Sequence, residues 1–237
     1  MALGRKEWKE IDIESQMNNI TYSANAVQAA KILNCKKFIH VGTMEEAFTS
    51  KYLNLDHHTD SEYNRHVIYS VAKMVTRNML KLVSQQNNID LIVATNSHVM
   101  GPNDNKDSFL QVTLDKLING RELVFSTGEQ IFDVISSTDC ALAYYKIGQY
   151  GKPNSEYWVG SGCARKLKEY VEIMANLYPS KEKLQFGKMP YNDISLTKED
   201  FSTELLYKDT GFTPTQEYED IVHELFFWLT KGRLSLK

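Results

Sequence analysis

The stretch HVIYSVAKMVTRNML, residues 66–80, places Tyr69 four residues before Lys73. On a helix, residues at i and i+4 share a face. An ammonium beside a phenol favours the phenolate and draws the tyrosine pKa down from about 10. Tyr69 is then usable as a general acid or base, with Lys73 as its electrostatic partner. The bare spacing is weak evidence: with 13 tyrosines in the chain, such a pair arises about once by chance. Thr43 adds weight, because it stands just past a predicted strand, where its hydroxyl can hydrogen-bond a substrate oxygen while Tyr69 moves the proton. The competing reading of Thr43 is a helix or turn cap.

These residues need elements to hold them. Residues 14–34 keep helical spacing through Ile20, Ala24, Val27, Ala30 and Ile32, with Asn34 as a stop. KKFIHVG (36–42) reads as a short buried strand. A second helix is predicted over 67–86, with Val71, Val75, Met79 and Leu82 on one stripe. IDLIVAT (89–95) is almost wholly apolar, as in a parallel strand covered on both faces. Gly101-Pro102-Asn103-Asp104 breaks the chain into a loop. Helices are then expected over 108–119, 138–148, 166–178 and 219–230, and strands over 121–126, 131–136 and 156–160. Strands alternating with helices give an α/β fold with a parallel sheet. Ligands of such sheets bind beyond the carboxyl ends of the strands, which points to Gly42-Thr43 and to 96–102.

The 237 residues, 42% hydrophobic and 24% charged, suit one large domain or a domain with a smaller attachment. A net charge of -3 offers no basic field for nucleic acid or an anionic membrane. No apolar run approaches the roughly 20 residues that span a bilayer. Cys35, Cys140 and Cys163 are scattered without a C-x-x-C pair, which fits a reducing cytoplasm. His57-His58 sits on a polar segment with no further ligands to complete a metal site.

KKFIHVGTMEEAF, YSVAK, NSHVMGP and GEQIFDVISSTDCALAYY occur in an order and spacing that resembles the extended short-chain dehydrogenase/reductases, the NAD-dependent epimerase/dehydratase family. QMNNITYSANAVQAAKILNCKKFI resembles the helix and strand leading to that family's catalytic threonine or serine. EYWVGSGCARKLKEYVEIM and DTGFTPTQEYEDIVHELFFWL resemble its C-terminal part. The resemblance implies the C-terminal portion of a Rossmann-type sheet over 1–103, with a small α/β substrate-binding subdomain over most of 104–237 and 131–160 returning to the sheet. It implies NAD or NADP as cofactor and a nucleotide-sugar as substrate. Thr43, Tyr69 and Lys73 are then the catalytic triad. Lys73 also binds the nicotinamide ribose, and Ser97 and His98 lie beside nicotinamide and substrate.

The departures are informative. The family's glycine-rich G-x-x-G-x-x-G loop is absent, and nothing before Lys36 reads as a strand. The expectation is an N-terminally truncated form that begins after the fourth strand, with a raw edge open to a partner or to a second copy as a homodimer. VGSGCAR (159–165) imitates a phosphate-cradling turn but has Arg165 at its third glycine position, so it reads as a structural turn. Similar dehydratases carry Thr-Asp-Glu where this chain has Thr43-Met44-Glu45, so reduction, oxidation or epimerisation is expected rather than dehydration. Glu45 is either a polar substrate contact or a solvated carboxylate. His98 stands where many members have asparagine and is either a ligand contact or a structural histidine. Phe132 stands where many have an arginine that grips the diphosphate, in a form similar to that of 4-keto-sugar reductases; it either stacks on a ring or packs in the core. The rival reading is a non-catalytic remnant that has become an interaction module.

Overall fold

The structure, a computed structural model, describes residues 13–53, 67–104, 106–190 and 194–231. His57-His58 lies outside them. Helix α1 (Ile13–Ile32) leads into β1 (Lys37–Thr43), and α2 (Glu45–Leu53) follows directly. Asn34 ends α1 in the left-handed region at φ 57°, and the Cys35 N–H returns to the Ala30 carbonyl at 2.9 Å. That is a helix stop of the kind asparagine tolerates. Helix α3 (Val67–Gln86) carries Tyr69 and Lys73, and β2 (Asp90–Asn96) lies parallel to β1 with Thr43 opposite Asn96. On its other side β2 pairs, also in parallel, with β7 (Glu156–Val159). These three strands form the main sheet, with β1 at one edge.

The sheet is covered on both faces, as the apolar run of β2 requires. Leu91 and Val93 pack with Val27 of α1 and Leu80 of α3. Ile92 and Ala94, one position out of phase, meet Ile147 of α5 (Ser137–Tyr150) and Leu206 of α7 (Glu204–Thr210). A second core joins α4 (Phe109–Ile118), α6 (Leu167–Leu177) and α8 (Tyr218–Thr230) through Leu114, Val171, Met174 and Leu225.

Three differences from the sequence reading have physical causes. Helix α2 forms where no element is expected. Its first turn holds Glu45 and Glu46, which suit the positive end of a helix, and the Glu45 N–H donates to Thr43 Oγ1 at 3.4 Å. The single strand expected over 131–136 divides at Asp133: β5 (Ile131–Phe132) pairs antiparallel with β8 (Arg165–Lys166), and β6 (Val134–Ser136) pairs parallel with β3 (His98–Met100). The strand expected over 121–126 shrinks to β4 (Leu123–Val124), paired with β9 (Leu184–Gln185).

The packing stripe of α3 is also different. Ser70, Ala72, Thr76, Leu80 and Ser84 are the buried positions. Val75 and Leu82 of the expected stripe are 47% and 64% exposed. Small residues on α3 let α1 approach closely beside the buried Leu80, while Val75 and Leu82 are turned outward.

Candidate active site

The ends of β1 and β2 and the first turns of α2 and α3 converge. Thr43 closes β1 and is partly buried. Its Oγ1 accepts from the Glu45 N–H, so capping uses an oxygen lone pair and leaves the hydroxyl proton for a ligand oxygen. Both sequence readings of Thr43 are therefore compatible in one side chain. Thr49 Oγ1 of α2 meets Ser70 Oγ of α3 at 2.5 Å, next to Tyr69, and ties the first turn of the tyrosine helix to α2. Lys73 Nζ stands 5.9 Å from the centroid of the Tyr69 ring. It donates to the Val41 carbonyl at 3.1 Å. Burial lowers the Lys73 pKa and the nearby Glu46 opposes that shift.

Glu46 is a residue that sequence reasoning missed. It is 3% exposed, and its Oε1 accepts from the Thr43 N–H at 2.9 Å. The Arg77 guanidinium lies 3.6 Å from its Oε2. Burial raises the Glu46 pKa against the opposing pull of Thr43, Arg77 and Lys73. A signal was available: Tyr69, Lys73 and Arg77 follow at four-residue steps on one helix face. Glu45 is buried at 9% exposure, which removes the solvated alternative offered for it.

At the end of β2, Ser97 and His98 divide in role. Ser97 is buried, and its hydroxyl donates to Asp133 Oδ2 at 2.5 Å while receiving the Trp158 indole N–H at 2.6 Å. Its side chain is thus committed within the protein. His98 is half-buried, its ring 5.4 Å from that of Phe132, and its Nε2 has no hydrogen-bond partner. Burial lowers the His98 pKa, with Asp104 opposing, so the imidazole is biased to the neutral form. Phe132 also packs between the Trp158 and α6 sides of the core.

Asp133, also missed by sequence reasoning, organises this end of the site. It is fully buried. Besides Ser97, Oδ2 accepts the Ser161 N–H at 3.0 Å and Oδ1 accepts the Ser161 hydroxyl. The His98 N–H reaches the Asp133 carbonyl at 3.1 Å. Burial raises the Asp133 pKa and the Ser161 and Ser97 bonds pull it back. The VGSG turn therefore cradles an anion, but the anion is the protein's own carboxylate. At Gly160 an added Cβ would lie 2.0 Å from Asp133 Oδ2 and 2.5 Å from Ser97 Oγ, so only glycine fits.

His40, on the face of β1 turned to α1 and α3, is 6% exposed. Burial, followed by the charges of Lys73 and Arg77, lowers its pKa from 6.5 to about 4. The unfolded chain takes up a proton that the folded site refuses. This group's contribution is full above pH 6.5 and is lost as pH falls towards 4, up to about 3 kcal/mol. Urea unfolding of the wild type should therefore weaken over that window. His40→Gln should flatten the acid limb, and an unchanged profile in that variant would count against the assignment.

Comparison with known proteins decides the family. The model of the NAD dependent epimerase/dehydratase family matches residues 2–160. The chain belongs to this family. The CDP-abequose synthase of Salmonella typhimurium is 25% identical over 224 residues, which are 91% of this chain and 74% of that protein. The fold matches RMD of Pseudomonas aeruginosa complexed with NADPH at a TM-score of 0.73, with 16% identity, over 94% of this chain and 78% of that one. It matches UDP-glucose 4-epimerase of Thermotoga maritima with UDP-glucose at 0.74, with 15% identity, over 99% and 77%. Among the described residues of this family member, no helix is long and apolar enough to cross a membrane.

Proposed function

We propose that the protein is an NAD(P)-dependent oxidoreductase or epimerase of nucleotide-linked sugars, working through Thr43, Tyr69 and Lys73. The observation that carries this reading is the placement of Tyr69 and Lys73 on α3, 5.9 Å from ammonium to ring, beside the strand end that carries Thr43. A nicotinamide, when bound, would supply or accept the hydride. Tyr69 gives a proton to the sugar ketone oxygen, or takes one from the hydroxyl in the reverse direction. Thr43 donates its hydroxyl proton to the same oxygen and orients it. Lys73 favours the phenolate electrostatically and supplies donors to the ribose. The residues present suit the nicotinamide end of the cofactor. The glycine turn at 160–162 does not suit the pyrophosphate end, because its Ser161 N–H is held by Asp133. The turn at 160–162 is therefore not assigned to the pyrophosphate.

The test is transfer of deuterium from NADPH or NADH labelled at nicotinamide C4 to a panel of CDP-, dTDP- and UDP-linked 4-keto sugars. Deuterium in the sugar product is expected. Absence of transfer from both cofactors across the panel overturns the reading.

We also propose that the outward apolar stripe of α3 meets a second copy. Val75→Glu and Leu82→Glu should each weaken self-association by about tenfold, measured by sedimentation, without lowering the unfolding midpoint. A mass distribution identical to wild type would remove this interface.

A further inference from the structure

Thr43-Met44-Glu45-Glu46 has the T-x-x-E spacing of a capping box, in which a first-turn carboxylate accepts the N–H of the capping residue. Glu46 Oε1 does take the Thr43 N–H, at 2.9 Å, while Thr43 Oγ1 takes the Glu45 N–H at 3.4 Å. A carboxylate that only caps a helix can stay in water. Glu46 is instead buried. Its Oε2 accepts no hydrogen bond among the described residues, and Arg77 Nη1 of α3 stands 3.6 Å from it. Gly42 makes the room. A Cβ there would lie 2.9 Å from Glu46 Oε1 and 3.0 Å from Thr95 Oγ1, so the carboxylate packs directly against the end of β1.

Arg77 is itself clamped. Its Nη2 pairs with Glu156 Oε2 of β7, and Lys81 Nζ holds Glu156 Oε1 at 2.7 Å. A chain of charges thus runs from β7 through α3 to Glu46 of α2 and the threonine that closes β1. An open cleft of about 540 Å³ lies alongside, lined by Glu46, Arg77, Lys81 and Glu156. The cations acting on Glu46 are Arg77 and Lys73, both of α3. Glu45 is its neighbour on α2, and Glu156 of β7 lies behind Arg77. Glu199 and Asp200 line the same cleft, and Asp200 is paired with Lys51 at 2.6 Å. His40 of β1, under the charges of Lys73 and Arg77, stays neutral at neutral pH. Burial disfavours the charged form of Lys73, and the negative charge of Glu46 opposes that loss.

We propose that Glu46, clamped by Arg77, is a positioning residue of the candidate site: its carboxylate fixes the backbone of Thr43 and supplies the negative charge that acts on Lys73. One side chain then serves two members of the triad. Holding the Thr43 N–H sets the direction in which its hydroxyl points. An ammonium at Lys73 favours the Tyr69 phenolate, and a neutral amine does not. Without Arg77 the buried carboxylate takes up a proton, and its charge is lost to Lys73. The consequence for turnover rests on the function proposed above. The hydrogen bond to Thr43 and the charge on Lys73 do not.

Glu46→Gln keeps the shape and an acceptor for the Thr43 N–H but removes the charge, and Glu46→Ala removes both. If Glu46→Ala does not fold, Glu46→Asp takes its place, because the shorter stem draws the oxygen back from Thr43. Two readouts on the full chain need no turnover. The pH dependence of reductive methylation, followed by mass spectrometry, gives the titration midpoint of Lys73. Amide hydrogen exchange reads the Thr43 N–H. The Lys73 midpoint should fall by about one pH unit in Glu46→Gln and in Arg77→Met, and Arg77→Lys should restore most of it. Exchange at Thr43 should be at least about tenfold faster in Glu46→Ala but not in Glu46→Gln. In the deuterium-transfer assay, Glu46→Gln should lower kcat about tenfold with KM little changed. An unchanged Lys73 midpoint in Glu46→Gln overturns the electrostatic role. Unchanged Thr43 exchange in the variant lacking the acceptor overturns the positioning, and a loss of stability alone marks Glu46 as a helix cap. A wild type that transfers no deuterium defeats the enzymatic reading by itself, since the lysine midpoint and the threonine exchange still decide the part played by Glu46.

Discussion

Tyr69→Phe should lower hydride transfer by about 10²–10⁴-fold while leaving the fold intact. The expected size follows from what is removed. Phenylalanine keeps the ring and its packing and deletes only the oxygen that exchanges a proton with the sugar. At 1.36 kcal/mol per tenfold, the loss corresponds to about 3–5 kcal/mol of transition-state stabilisation. The fold should survive because α3 is anchored by other residues: Leu80 in the sheet-facing core, and Ser70 bonded to Thr49 of α2. The split between KM and kcat is informative. A residue that merely shapes the pocket would raise KM, whereas a proton carrier lowers kcat with KM little changed. Near-normal kcat in the variant, with an unfolding curve that overlays the wild type, would exclude Tyr69 as the acid.

The route to Tyr69 and Lys73 was open in the sequence because helical geometry is local. Four-residue spacing brings two side chains together whatever the rest of the chain does. The placement of Thr43 was legible for a similar reason, since an apolar run ending in a hydroxyl residue marks the carboxyl end of a strand. The parallel register that sets Thr43 opposite Asn96 is not local, yet the apolar character of 89–95 already demanded a strand covered on both faces. Less legible was anything decided by pairs far apart in sequence. Asp133 lies in an apolar-looking run, and its value depends on Ser97, 36 residues earlier, and Ser161, 28 residues later. Which part of the α3 stripe faces outward was not decided by the sequence, for the same reason. Period alone shows that Val71, Val75, Met79 and Leu82 share a side, not which side α1 covers. There the small residues won, because close helix approach rewards Ala72 and Thr76 more than bulk.

Removing Asp133 should cost more stability than any other single change in this region. The carboxylate, itself fully buried, is the shared acceptor of the buried Ser97 hydroxyl and of the hydroxyl and N–H of half-buried Ser161. The donors form directed chains: Trp158 N–H to Ser97 and on to Asp133, and Cys163 N–H to Ser161 and on to Asp133. Asp133→Ala leaves one buried and two half-buried donors facing a small cavity, and breaking such a network costs about 3–5 kcal/mol. Asp133→Asn keeps the volume but turns an amide N–H₂ towards one of the donors, so it should recover only part of the loss. Gly160→Ala tests the same carboxylate from outside, since its Cβ would occupy the space of Oδ2 and force the group away. Chemical unfolding should therefore rank Asp133→Ala as the most damaging, with Asp133→Asn and Gly160→Ala between it and wild type. The indole emission of Trp158 should shift in all three, because its N–H partner Ser97 loses its own acceptor. If Asp133→Ala unfolds within about 1 kcal/mol of wild type, the network does not hold the strand ends, and Ser97 and His98 must be positioned by backbone pairing alone.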